Sequence, residues 1–138
     1  MSLIFASINE RKRQMSFKII RNDIAKVKAD AIVNSANPQP VIGGGTDSAI
    51  YEAAGKEQLF AERKKIGTIK CGEAAVTPAF KLKAKYIIHT VGPIWEGGDK
   101  GELEVLKSCY ENSLKLAVQM ECKCRHRKDF RACKTFPS

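Results

Sequence analysis

The sequence predicts an α/β protein, and three observations carry that prediction. Stretches with strand and helix periodicity are interspersed along the chain, the apolar runs end in Asn, Pro or Gly turns, and glycines stand where the helical patterns stop. Phe17-Lys-Ile-Ile20 alternates into a short strand, with a fresh start near Met15. Residues 1–14 show no sustained period and are expected to form an N-terminal appendage. Asp30-Ala-Ile-Val-Asn34 is a short apolar run closed by an Asn and Pro turn, which suits a buried strand. From Thr46 onward Ala49, Ile50, Ala53 and Ala54 recur at helical spacing and stop at Gly55, a natural C-terminal cap. A second helix is predicted over 56–66, closed by Gly67. Glu73-Ala-Ala-Val-Thr77 reads as a strand stopped by Pro78, and Tyr86-Ile-Ile-His-Thr-Val91 as a stronger one ended by Gly92-Pro93. After a polar loop over 96–101, Leu103, Leu106, Tyr110, Leu114 and Ala117 mark one face of a long helix. Beyond about Cys122 neither period holds, and 123–138 is expected to be a basic tail without a core strand.

A chain of 138 residues with 43% hydrophobic content has room for one domain and a modest core. No run of about 18 apolar residues is present to span a bilayer. The opening MSLIFASINERKRQ has too short an apolar stretch, with its basic residues on the wrong side, for a secretory signal. The expectation is a soluble, cytoplasmic protein with no membrane partner. Five irregularly spaced cysteines fit reduced thiols rather than a disulfide framework. Of the net charge of +9, residues 1–14 carry +2 and residues 123–138 carry +5. The basicity therefore sits at the two ends and forms no stripe interleaved with aromatics, which argues against a nucleic-acid partner.

The chemistry concentrates in Asn34-Ser-Ala-Asn-Pro-Gln-Pro-Val-Ile-Gly-Gly-Gly-Thr-Asp47. Gly43, Gly44 and Gly45 lie just before a helix N-terminus, where free N–H groups and the helix dipole favour an anion such as phosphate. A flexible strand-to-helix connection reads equally well from glycines alone. Asn34 and Asn37 offer the donor and acceptor pair that suits ribose hydroxyls, at the end of a strand where α/β ligands bind. They also suit a plain turn before Pro38. Asp47 falls in the first turn of the following helix, where the dipole favours a carboxylate whether or not it has a catalytic role. His89 lies inside a buried strand without an acidic partner and reads as structural. Trp95 reads as cover for a core edge. Cys122, Cys124, His126 and Cys133 include metal-ligand types but lack the paired spacing of familiar zinc sites.

In combination and order these residues resemble the macro domain, a family that binds ADP-ribose. The matching stretches are Arg21-Asn-Asp-Ile24, Asp30-Ala-Ile-Val-Asn-Ser-Ala-Asn37, Gly43-Gly-Gly-Thr-Asp-Ser-Ala-Ile50, Glu52-Ala-Ala-Gly55, Gly72-Glu-Ala-Ala-Val-Thr77, Ala84-Lys-Tyr-Ile-Ile-His-Thr-Val-Gly-Pro93 and Cys109-Tyr-Glu-Asn-Ser-Leu114, spread over 17–122. The resemblance implies a three-layer sandwich with a mixed sheet between helices. It implies that Asp23 receives the adenine amino group with Ile24 beside the base, and that Asn34 and Asn37 lie near the distal ribose. Gly43, Gly44, Gly45 and Thr46 would wrap the diphosphate and that ribose. Asp47 would orient or deprotonate a water.

The implied activity is hydrolysis of ADP-ribosyl esters, on mono-ADP-ribosylated protein or O-acetyl-ADP-ribose. Asp47 would be the general base or water orienter and Asn37 would fix the ribose, with no metal and no cofactor. The alternative is a non-catalytic ADP-ribose reader or an inactive, truncated domain. Two positions depart from the family pattern: Tyr51 stands where several hydrolytic members have histidine, and Ile42 replaces the first of four glycines. The resemblance also implies a further apolar strand, a second Gly-rich loop, another helix and a final strand after the long helix. Residues 123–138 contain none of these, so the C-terminal strands are expected to be missing. The expected organisation is an appendage over 1–14, an incomplete domain over 15–122 and a foreign or out-of-frame tail over 123–138.

Overall fold

The computed structural model describes residues 2–9, 14–120, 122 and 130–134, giving the course of the backbone for 2–9, 14–20 and 130–134. The elements run β1 (Ser2–Asn9), β2 (Gln14–Ile20), a 3-10 turn (Ile24–Lys26), β3 (Ala29–Ser35), α1 (Thr46–Ala54), α2 (Lys56–Ile66), β4 (Ala74–Pro78), β5 (Ala84–Thr90), α3 (Glu102–Gln119) and β6 (Phe130–Lys134). The described strands form one sheet in the order β2-β1-β6-β3-β5-β4. β3 is parallel to both its neighbours, with Ile32 opposite Ile87 on one side and Arg131 on the other. The β1–β2, β1–β6 and β4–β5 pairs are antiparallel, so the sheet is mixed.

Burial explains the layering. Ala31, Ile32 and Val33 are buried on both faces of the sheet, as a parallel central strand requires. Ile32 and Ile87 face Ile50, Tyr51, Ala54 and Leu59 of α1 and α2, whereas Ala31, Val33 and Ile88 face Ala117 of α3. Each fully buried Ile or Leu in these clusters contributes about 1.5–3 kcal/mol relative to exposure. Helices therefore cover both faces, and the protein is an α/β sandwich of three layers. Gly55 ends α1 at φ +105 and Gly67 ends α2 at φ +75, both backbone conformations that favour glycine.

The sequence reading and the structure part company in four places. Residues 2–9 form a strand hydrogen-bonded to β2 and β6, where no strand periodicity is legible. The run Leu3-Ile-Phe-Ala6 is apolar at both parities, which removes the alternation on which a strand is recognised. Residues 130–134 pair with β1 and β3, although Phe-Arg-Ala-Cys-Lys looks like tail. That pairing is backbone to backbone across distant segments, which local alternation does not encode.

On α3 the buried line is Cys109, Ser113 and Ala117, rotated from the apolar face read in the sequence, and Leu103 is 64% exposed. Cys109 lies inward, and its thiol donates to the Val91 carbonyl at 3.2 Å. Trp95 does not cover the core: it is 64% exposed and lies against Gly98, whose missing side chain leaves room for the indole. Among the described residues no helix is long and apolar enough to cross a membrane. Cys71 and Cys109 are free thiols, the first exposed and the second buried. Cys124, His126 and Cys133 lie outside the residues whose side chains are described.

Candidate functional site

Because β3 and β5 are parallel, their carboxyl ends open on the same edge of the sheet, where α/β proteins place ligands. The chain leaves β3 through Ala36, whose amide donates to the Thr90 carbonyl at 2.9 Å, and Pro38 accepts from the Ile69 amide at 2.9 Å. The loop then passes Gly43 to Gly45 and enters α1. Gly45 sits at φ +62, ψ −127, a conformation that side chains rarely adopt, and it turns the chain so that Thr46 starts the helix. A Cβ at Gly44 or Gly45 would meet no atom within 4 Å. The loop therefore borders open space at the amino end of α1.

Asp47 is the organising group. It is 6% exposed, and its two oxygens accept from different elements: Oδ1 from Asn34 Nδ2 of β3 at 2.6 Å, Oδ2 from the Gly43 amide at 2.8 Å. The same Asn34 Nδ2 lies 3.2 Å from His89 Nδ1, and His89 Nε2 lies 2.9 Å from Thr77 Oγ1. Since Asn34 Nδ2 can only donate, His89 Nδ1 accepts, which assigns the His89 proton to Nε2, donating to Thr77. A buried polar chain thus runs Thr77, His89, Asn34, Asp47, Gly43 across β4, β5, β3 and the glycine loop. Asn34 and His89 are both fully buried. Burial first, and then the nearby Arg63 charge, push the His89 pKa down to about 3, so the ring is neutral at physiological pH.

Tyr51 follows Asp47 by one helical turn and is 2% exposed. Burial and the Asp47 charge, partly opposed by Arg63, raise its pKa to about 12. It remains a protonated hydroxyl and cannot serve as a base at neutral pH. The side-chain oxygens Asn34 Oδ1 and Thr46 Oγ1 are buried without a hydrogen-bond partner among the described residues. Asn37 is partly exposed and its amide reaches the Val41 carbonyl at 3.5 Å, a weak tether.

The structure brings Asn34, Asn37, Gly43 and Asp47 together. A Cβ on Gly43 would stand 2.7 Å from Asn37 Nδ2 and 3.4 Å from Asp47 Oδ2, which shows how closely the three pack. Asp23 is placed differently: its Oδ1 caps the 3-10 turn by accepting from Ala25 N at 3.0 Å, and its other oxygen lies 3.6 Å from Lys26 Nζ. The Ile24 side chain is in the core at 1% exposure, which leaves its backbone as the part available to a ligand. Among the described residues no cluster of three or more His, Cys, Asp or Glu side chains could hold a metal.

Two groups escaped the sequence reading. Arg63 is 1% exposed, and its guanidinium donates to the carbonyls of Asn37, Pro38 and Gly67. A signal was available, because Arg63 falls four residues after Leu59 on the buried phase of α2. Glu102 accepts from the amides of Glu96 at 2.8 Å, Gly98 at 3.1 Å and Lys100 at 2.8 Å, and so folds the loop that carries Trp95. These backbone donors hold its pKa down at about 2. The depressed value means that the loop is fully braced above the ordinary carboxylate range and released as pH falls from about 4.5 through about 2. Trp95 is the single tryptophan, so its fluorescence should change over that window. Glu102→Gln should show the changed emission already at pH 7, and a variant with the parental acid transition would count against the brace.

A mixed sheet between helices, with a glycine loop and a braced aspartate at the carboxyl ends of its parallel strands, defines an α/β sandwich of three layers. The family model described as "Macro domain" matches residues 33–126, and the chain belongs to the macro domain family. Among curated relatives, a Citrobacter rodentium protein named O-acetyl-ADP-ribose deacetylase is 50% identical over 103 residues, which are 72% of this chain and 58% of that protein. The Oceanobacillus iheyensis macrodomain solved with ADP superposes with a TM-score of 0.74 at 31% identity, covering 87% of this chain and 66% of that one. A variant of that macrodomain solved with ADPR gives 0.67 at 37% identity, covering 74% and 58%. The chain spans about 60% of the length of the curated relatives it matches.

A substitution at Gly43 tests the packing of the site. Gly43→Ala places a methyl group 2.7 Å from the Asn37 amide, which must swing away, while the Gly43 N–H to Asp47 is kept. If the site takes ADP-ribose with Asn37 as a ligand contact, losing that hydrogen bond should weaken binding about tenfold, with little change in thermal stability. Unchanged affinity by calorimetry would remove Asn37 from the site.

Proposed function

We propose that the chain binds ADP-ribose in this cradle and hydrolyses ADP-ribosyl esters, on mono-ADP-ribosylated protein or O-acetyl-ADP-ribose. The observation that carries the reading is Asp47, a nearly buried carboxylate fixed by Asn34 and Gly43 beside open space at the glycine loop. In this reading the amides of Gly43, Gly44 and Gly45 meet the diphosphate and the Asn37 amide meets the distal ribose, while the buried Asn34 supports that end of the site by holding Asp47 and the buried Thr46 by starting α1. Asp23 and the Ile24 backbone meet the adenine. A carboxylate has about four lone-pair sites. With one bond on each Asp47 oxygen, sites remain to orient a water for attack on the ester. The reaction needs no cofactor and no metal, and its setting is the cytoplasm.

A second reading has its own observation. Both Asp47 oxygens are already occupied by protein donors, and Tyr51 supplies no base, which is how a non-catalytic ADP-ribose reader would be built. Calorimetry with ADP-ribose, followed by turnover of a mono-ADP-ribosylated protein, separates the two: binding with turnover makes an enzyme, binding without it a reader. We also propose that residues 15–122 are the family-derived unit and 123–138 a foreign replacement. Reading the coding DNA in the other two frames should recover an apolar strand followed by a Gly-x-x-Gly loop, and two frames without it would end that idea.

A further inference from the structure

We infer that Arg63 is a positioning residue of the ligand site, whose buried guanidinium holds the Asn37–Pro38 backbone and thereby sets where the Asn37 amide meets the distal ribose. This rests on the ADP-ribose reading above. Arg63 lies in the last turn of α2 and is 1% exposed, yet among the described residues no carboxylate forms an ion pair with it. Its hydrogen bonds go to main-chain carbonyls. Nη1 donates to Gly67 O, and Nη2 donates to Asn37 O and Pro38 O, each at 3.0 Å.

A cation buried with no carboxylate at ion-pair distance is unfavourable, and the Asp47 charge acts on it only from farther away, so its retention calls for a cause. The Gly67 contact alone is ordinary, since cations favour helix C-termini and Gly67 caps α2. The other two bonds are not explained that way. They leave the helix and grip a loop 25 and 26 residues earlier in the chain, at the point where it carries Asn37.

That loop needs the grip. Ala36 is tied to Thr90, and Pro38 O also receives the Ile69 amide, but among the described contacts the Asn37 carbonyl is held by Arg63 alone. Among the described contacts the Asn37 side chain is tethered only through its 3.5 Å contact with Val41 O, so its direction follows its backbone. A Cβ at Gly43 would stand 2.7 Å from Asn37 Nδ2, so the amide occupies the space beside the glycine and its place there depends on the Asn37 backbone. A planar fork can address carbonyls in two directions at once, which an ammonium group on a flexible stem does not reproduce.

The test is calorimetry with two ligands, ADP-ribose and ADP, on the full chain as parent, Arg63→Gln, Arg63→Lys, Asn37→Ala and the Arg63→Gln/Asn37→Ala double variant. ADP lacks the distal ribose, so the ratio of the two affinities reads the Asn37 contact and a general loss of structure does not move it. The parent should prefer ADP-ribose. In both Arg63 variants ADP-ribose affinity should fall about tenfold while ADP affinity changes less than about twofold, and the double variant should lose nothing beyond Asn37→Ala. Arg63→Lys keeps the charge and guards against a folding failure of Arg63→Gln. An Arg63→Lys variant with the parental ratio, equal losses for both ligands, or additive losses in the double variant would overturn the assignment. A parent that does not distinguish ADP-ribose from ADP shows failure of the underlying ligand reading, before any substitution is made.

Discussion

Asp47→Asn is expected to bind ADP-ribose within about threefold of the parent and to hydrolyse O-acetyl-ADP-ribose about 10²–10⁴ times more slowly, the range that a positioned general base contributes. The asparagine keeps one oxygen, which can accept from the Gly43 amide, so the glycine loop stays in place. Its amide nitrogen has no lone pair for a water and would face the Asn34 amide, which donates to Asp47 at 2.6 Å in the parent. Asp47→Ala differs in kind, because it frees the loop and leaves Asn34 without an acceptor. It should lose both binding and turnover. If Asp47→Asn turns over at the parental rate, Asp47 is only a brace for Gly43 and the water is activated without it.

The second large effect is on acid stability. With its pKa lowered from 6.5 to about 3, His89 is neutral in the fold while the unfolded chain takes up a proton below pH 6.5. A depressed value means that the stabilisation is complete above pH 6.5 and is lost as pH falls toward about 3. The slope approaches about 1.4 kcal/mol per pH unit inside that window. The structural cause is specific: a proton on Nδ1 would set a donor against Asn34 Nδ2 at 3.2 Å and break the chain that ends on Asp47. Urea denaturation at pH 7, 6, 5 and 4 measures the slope. His89→Gln can present an oxygen to Asn34 without titrating, and it should flatten the loss between pH 6 and 4. A variant as acid-sensitive as the parent would place the titration elsewhere.

Much of this architecture is legible in the residues because the signals are local. Gly55 and Gly67 punctuate the helices where the chain needs positive φ, and Ile32, Ile87 and Ile88 fall on apolar runs that only a strand buried on both faces would carry. The glycine loop and Asp47 are readable because an anion cradle needs residues that packing does not. What was hidden is non-local. β6 and β1 enter the sheet through backbone pairing with distant partners, and neither has an alternating pattern to announce it. The hydrogen bonds of Asp47 to Asn34, and of Arg63 to the Asn37 and Pro38 carbonyls, join residues 13, 26 and 25 positions apart. The chemistry of each partner was visible in the sequence, and only folding shows that they meet. Trp95 was misplaced for a related reason: its packing partner is a glycine, which leaves no hydrophobic trace.

The central claim is that this chain, with the glycine loop and braced aspartate it contains, holds ADP-ribose. Titration calorimetry of ADP-ribose into the protein tests it most directly. One saturable site per chain is predicted, weakened about tenfold by Gly43→Ala through displacement of Asn37. No heat of binding from a folded parent would contradict it, and binding that Gly43→Ala leaves untouched would place the ligand away from Asn37.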